Sequence, residues 1–285
     1  MARTTLDSWN PHCLTGPLFE PLTPLAHYLR SFQHHWPSLD DYQHILNSYR
    51  APIQSKNAQP IRFVAQGESP ENFEELYEPR IFLKGEVQTR LENWHDFFQV
   101  LIWSSFPKTK IELNARHYVA ASQRRNDSQT KGNRSTIENV ITLFDECGAI
   151  IISSNPILLS KIKEHRWKEL FYHHRETIRS ELKCIVFGHA LYEKALTPYI
   201  GMTAHCLTLT VQQSQLTLPY KQLITYCDDQ ISQRFSLDSG DIQSTKDLSP
   251  FPLLGMPGWH SENGNENFYN NQQYFRPKSN PAQRG

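Results

Sequence analysis

The apolar residues of this chain change period at residue 148, and that change constrains the fold more than any other feature. Before it, apolar residues recur at three- and four-residue spacing, the repeat of a helix with one buried face. After it come three short runs: "GAIIISS" (148–154), "KCIVFG" (183–188) and "TAHCLTLTV" (203–211). Each has the length and composition of a buried strand. Helical patterns stand between them, one opening at Asn155-Pro156 and running to about Lys183 with a break near Trp167. Another covers "HALYEKAL" (189–196), and "LPYKQLITYCDDQISQRF" closes the series with a helix. Strand–helix–strand–helix–strand order is the signature of crossover units. The expected fold is helix-rich, α+β or α/β. It has a small, partly parallel three-stranded sheet, surrounding helices and a long irregular C-terminal segment. The competing reading is a mostly α fold in which "KCIVFG" continues one long helix.

The helical half carries start signals. Thr89 with Glu92, Thr109 with Glu112 and Ser135 with Glu138 each have capping-box spacing. They predict helices near 90–106, 110–123 and 136–147. Pro107 suits the end of the first, and Gly148 suits a left-handed cap after the third. Ser38 is the expected N-cap of "LDDYQHILNSYR", and Ser69 with Pro70 the start of a short helix in "SPENFEELY". "IRFVAQ" reads as a short strand, and "RRNDSQTKGNR" (124–134) as an exposed loop. Beyond about 236 periodicity disappears, yet Trp259, Phe268, Tyr269 and Phe275 require much of that segment to pack. The expected organisation is one globular domain over 1–278, with region 1–60 packed on it and a flexible tail at 279–285.

Charge and cysteine usage exclude several classes. Twenty-nine Lys and Arg balance 29 Asp and Glu, so no global field draws the chain to nucleic acid or anionic lipid. No apolar run approaches the ~20 residues that span a bilayer, and the early Asp7 spoils a secretory signal. The five cysteines are odd in number and form no C-x-x-C pair. Free thiols in a reducing cytoplasm are expected, and a cysteine-based zinc site is not. There is no P-loop, dinucleotide fingerprint or nucleophile elbow.

The stretch "NWHDFF" (93–98) raises the first chemical question, because it places His95 and Asp96 side by side in a buried helix. On a helical wheel Leu91, Trp94, Phe98, Leu101 and Ile102 form one stripe, with His95 at its edge and Asp96 turned further away. The two neighbours therefore cannot act as a dyad. Asp96 reads as a solvated or capping carboxylate, and His95 as either a core histidine or one facing a cleft. Asn114 shares a face with Ile111, Ala115 and Tyr118, and is expected to tie loop backbone to its helix. Asp145 and Glu146 stand at a helix C-terminus, where the dipole disfavours carboxylates. They need an Arg, a metal or solvent, and solvent is the plain reading. "VFGHALYEK" places Gly188 and His189 where a strand gives way to a helix, with Glu193 four residues on and facing the same way. His205 opens the next strand. His189, Glu193 and His205 are candidate metal ligands with an open position; the alternative is a helix-capping histidine beside a surface Glu–Lys pair.

Several separated fragments resemble one family, the bacterial domain of unknown function family 3025. They are "GEVQTRLENWHDFFQVLIWSSFPKTKIELNARH", "TLFDECGAIII", "VFGHALYEK", "TAHCL", "LLGMPGWHSEN" and "FRPKS". The resemblance runs from about 60 to 278. It implies a single-domain bacterial protein and carries no reaction. The family pattern shows Asn where this chain has Cys147, which argues against a functional thiol there. Its motif positions coincide with Asn93, His95, Asp96, Asn114, Asp145, Glu146, His189, Glu193 and His205.

Three functions follow as expectations. The first is a soluble, cytoplasmic hydrolase with His95, His189, Glu193 and Asp145 as catalytic residues and a divalent metal as possible cofactor, acting on an unknown small molecule or protein. The second is a non-enzymatic binding or scaffold protein that uses aromatics and the "GMPGWH" segment. The third, disfavoured by the zero net charge, is nucleic-acid association through Arg80, Arg90, Arg116 and the 124–134 loop.

Overall fold

The computed structural model describes residues 8–49, 52–126 and 133–278. The expected tail at 279–285 and most of the 124–134 loop lie outside them. The fold is α+β and helix-rich. The longer elements are α1 (Leu39–Tyr49), β1 (Arg62–Ala65), α2 (Tyr77–Lys84), β2 (Glu86–Thr89), α3 (Trp94–Ser105), α4 (Pro107–Asn126) and α5 (Thr136–Cys147). After them come β3 (Gly148–Ser153), α6 (Pro156–Lys163), α7 (Arg175–Glu181), β4 (Leu182–Val186), α8 (His189–Ala195), β5 (Thr203–Thr210), α9 (Tyr220–Phe235) and β6 (Ser249–Pro252).

The main sheet has four strands in the order β4-β3-β5-β6. The three expected runs are its first three strands, and the fourth comes from the segment expected to be irregular. Only β3 and β5 are parallel; β3 pairs antiparallel with β4, and β5 with β6. The excursion between β3 and β4 is therefore no crossover. His165 takes a positive φ of 55° after α6 and turns the chain back, so β4 returns along the same edge of β3. β3 is buried along its whole length, as its run of Ile150, Ile151 and Ile152 requires. A separate two-stranded parallel sheet joins β1 to β2.

Helix starts divide by whether their caps are local. Ser135 and Glu138 form the expected capping box of α5, and the Ser38 hydroxyl accepts from the Asp41 amide at 3.2 Å. Thr89 is instead the last residue of β2, and α3 begins at Trp94 with the Asn93 side chain as its cap. Glu92 has φ 53°, so the chain turns sharply between the two. Leu91, expected in the apolar stripe of that helix, is consequently outside it and half-exposed. Thr109 lies inside α4, whose first amides are capped from a distance. The carboxylate of Asp228 on α9 accepts from Lys108 N at 3.1 Å and Thr109 N at 2.8 Å. Asn72, not Ser69, caps the turn before α2. Gly148 takes no left-handed cap; with φ −76° it passes directly from α5 into β3.

Beyond β6 the chain is tied down by one buried side chain. Asn263 donates to the Leu254 and Met256 carbonyls, and Arg175 donates to the Asn263 backbone and side chain. Phe171, Tyr269 and Phe275 pack together beneath it. The "GMPGWH" segment is thus anchored on the body of the protein. Among the described residues no helix is long and apolar enough to cross a membrane.

Candidate metal site

Three helix ends converge beside the main sheet. His95 stands in the first turn of α3, Glu146 in the last turn of α5, and His189 is the first residue of α8. Packing fixes each approach. Trp94 and Phe97 of α3 meet Trp9 and Trp36. Phe98 stacks on Tyr192 of α8 with centroids 5.6 Å apart. Every residue of α3 is buried except His95, which lines a cleft together with Asp96, Gln99 and Trp103 of the same helix. The link from β4 to α8 crosses the end of α5 at close range. Gly188 N donates to Gly148 O at 2.8 Å. A Cβ on Gly188 would lie 2.4 Å from the Glu146 carbonyl oxygen, so only glycine lets His189 stand over Glu146.

The three side chains present one atom each. His95 Nε2 lies 3.0 Å from His189 Nε2. Glu146 Oε2 lies 3.9 Å from the first and 3.6 Å from the second. The point equidistant from the corners of such a triangle is about 2 Å from each, the length of a Zn–N or Zn–O bond. Among the described residues His95, Glu146 and His189 are the group of His, Cys, Asp or Glu residues so placed.

A second layer orients these groups. His95 Nδ1 is 3.0 Å from Glu193 Oε2, the carboxylate–histidine arrangement that holds a metal-binding imidazole in one tautomer. His189 Nδ1 lies 3.9 Å from Asp145 Oδ2, beyond hydrogen-bond distance, and is buried without a hydrogen-bond partner. Asp145 is held in turn by Lys110, whose Nζ donates at 2.6 and 2.8 Å. Both Lys110 and His189 are buried.

Titration behaviour follows from these contacts. The Glu193 hydrogen bond raises the pKa of His95, and the same bond lowers that of Glu193. Burial pushes His189 down to about 3, so its imidazole is uncharged at neutral pH. Burial raises Glu146. For Asp145 burial acts upward, but Lys110 and His189 outweigh it and hold the carboxyl below its ordinary value.

Of the residues expected from sequence, His95, His189, Glu193 and Asp145 come together here. His205 does not join them. It is on β5 opposite Gly148 of β3 and Pro250 of β6, and its ring atoms are outside the group. Of the expected ligand set only His189 stays; His95 and Glu146 take the places that expectation gave to Glu193 and His205. The signal for Glu146 was present in "FDECG": a carboxylate at a helix C-terminus, uncompensated within its own helix. Asp145, expected to be solvated, is paired with Lys110. Asp96, also expected in solvent or at a cap, is buried. It accepts from the Arg90 amide at 2.6 Å and pairs with its guanidinium at 2.8 Å. Asn114 binds the Glu78 carbonyl and carboxylate of α2 rather than a loop.

All three members of the triangle line a cavity of about 600 Å³ enclosed by α2, α3, α4 and α5. Four of the basic residues considered for nucleic acid are engaged elsewhere. Arg80 pairs with Glu86, Arg90 with Asp96, and Arg124 with Glu138, while Arg116 is buried against the Ile242 carbonyl.

A family described as protein of unknown function (DUF3025) has a model that matches residues 61–279. The chain belongs to this family. Every residue of the DUF3025 triangle and its second layer falls inside the matched span, as do the four strands of the main sheet. No curated protein and no solved structure matches the chain significantly.

Proposed function

We propose that this DUF3025 chain is a metal-dependent hydrolase, with His95, Glu146 and His189 holding a divalent cation, zinc by preference. The triangle of Nε2, Nε2 and Oε2 atoms carries the reading. Two imidazoles and one carboxylate match the donor set of hydrolytic zinc sites that keep a fourth position open. In such a site the cation supplies Lewis acidity and ionises water near neutral pH. A proton shared between His95 and His189 is the bland explanation of a 3.0 Å imidazole contact. It leaves unexplained why a carboxylate completes the triangle and why the outer nitrogens lie near Glu193 and Asp145.

In this reading Glu193 positions His95, and Asp145 with Lys110 positions His189. The histidines are ligands, so neither is free to be the general base. The test is elemental analysis of the purified protein and zinc titration, followed by a panel of ester, phosphoester and peptide substrates. The expected result is one equivalent of metal per chain and an activity lost in Glu146→Gln and His189→Ala. A protein that neither carries metal nor takes up zinc with micromolar affinity would sink the proposal.

The alternative of a binding protein with an aromatic face draws no support from the C-terminal aromatics, since Tyr269 and Phe275 are buried and Trp259 and Phe268 pack against the core.

A further inference from the structure

The cavity that holds the triangle extends well past it. On α5 its wall runs from Glu146 back through Ile141 to Glu138, and on α4 from Lys110 through Asn114 and His117 to Arg124. Glu138 precedes Glu146 by eight positions, a rise of about 12 Å along the helix. An extended peptide covers that length with three to four residues at about 3.3 Å each. The space is therefore a channel with the metal triangle at one end and the Arg124–Glu138 pair towards the other.

Its charges are arranged in neutral pairs. Arg90 is matched by Asp96, Lys110 by Asp145 and Arg124 by Glu138. Arg134 also lines the cavity and carries no ion pair among the described residues. Glu75 and Glu78 add further carboxylates to the wall, so a chain with an anion at every unit would meet repulsion along its length. A neutral chain with one terminal anion meets matched walls and then a free guanidinium. Four buried polar atoms of the wall residues have no partner: Tyr77 Oη, Trp103 Nε1, which can only donate, His117 Nδ1 and His189 Nδ1. Buried polar groups are rarely left unmatched. A peptide carbonyl would satisfy Trp103 Nε1, and a peptide amide or carbonyl would satisfy His117 Nδ1.

We propose that the channel takes an extended peptide, its free C-terminal carboxylate at Arg134 and its scissile amide at the metal triangle three to four residues upstream. The binding part stands on the channel alone; the hydrolytic part rests on the metal-site reading above. The chemistry is hydrolysis without redox change. Water oxygen bonds to the amide carbonyl carbon, the C–N bond breaks, and the amine leaves with a proton from the water.

The test is calorimetric titration of the zinc-loaded and chelator-treated protein with one N-acetylated tetrapeptide of alternating alanine and glutamine. It is supplied as the free acid and as the C-terminal amide; at product length it is not itself cleaved. The free acid is expected to bind at least tenfold more tightly than the amide, and Arg134→Gln to abolish the difference. Arg134 is exposed, so this variant folds as the parent does. Equal binding of acid and amide, or binding of neither, overturns the channel. Failure of the metal reading shows up separately, as absence of zinc uptake while the acid preference persists in the chelator-treated protein.

Discussion

His95 Nδ1 and Glu193 Oε2 lie 3.0 Å apart, across 98 positions of sequence, and this contact aims the opposite nitrogen of His95 at His189. Removing the charge but keeping the shape, as in Glu193→Gln, should loosen that aim. Loss of one such outer partner typically weakens metal affinity by about 10–100-fold. The expected outcome is a drop of that size in zinc affinity, read by competition with a chromogenic chelator. Unchanged affinity would show that Glu193 is merely a surface ion-pair partner.

Metal binding should depend on pH through His95. A proton on its Nε2 and a cation at the triangle are alternatives, and Glu193 raises the pKa of His95. Zinc affinity should fall about tenfold per unit as pH drops below that pKa, and should level off above it. In Glu193→Gln the onset of the fall should move to lower pH, because the group that stabilised the imidazolium is gone. Titrations at several pH values, with the His95 ring followed by NMR in the metal-free protein, check both the slope and the direction.

His189 should destabilise the fold in acid. Its pKa is about 3 when folded against an ordinary value of 6.5. Between those values the unfolded chain binds a proton that the folded chain refuses. Stability therefore falls as pH drops from about 6.5 towards about 3, by about 1.4 kcal/mol per pH unit from this group. Subtracting the urea stability curve of His189→Gln from that of the parent isolates the contribution. A difference that is flat over this window would mean that the imidazole is not buried as a neutral group.

Gly188→Ala should damage the site without touching a ligand. Its Cβ would press on the backbone of Glu146 and Gly148 at 2.4 and 2.6 Å, atoms that cannot rotate away. Forced overpacking costs roughly 1–3 kcal/mol, and the shift required would separate His189 from Glu146. Reduced zinc stoichiometry together with a lowered urea midpoint is expected. Gly264→Ala, where a Cβ meets nothing within 4 Å, should leave both unchanged and serves as the control.

Asp228→Ala should unfasten the start of α4. It removes the acceptor of two helix amides, at Lys108 and Thr109, from a buried position. Loss of a cap costs about 0.5–2 kcal/mol, and burial places this case at the upper end. The measurement is again a urea midpoint. Faster amide exchange should be confined to the first turn of α4, and zinc affinity should change little.

Features legible in the sequence were those settled over a few residues. The Ser135–Glu138 box, the isoleucine run of β3 and the separation of His95 from Asp96 on one helix all follow from local geometry. Capping by Asp228 was not legible, because donor and acceptor are about 120 positions apart. Thr109 and Glu112 imitate a local signal that the distant carboxylate replaces. Thr89 and Glu92 imitate one too, but pairing of β2 with β1 draws Thr89 into a strand.

The candidate site divides the same way. The sequence by itself determined that α3 carries an apolar stripe with His95 at its edge, that α5 ends in two carboxylates, and that Gly188 and His189 join a strand to a helix. Each is a matter of period, capping and backbone freedom, which act over one or two turns. Only the tertiary structure decided that these three ends meet, that His95 and Glu146 rather than Glu193 and His205 complete the triangle with His189, and that Lys110 neutralises Asp145. Those outcomes depend on the order β4-β3-β5-β6 and on the packing of Phe98 against Tyr192. Sheet order and helix docking come from burying apolar surface over the whole chain, an energy that no short stretch contains.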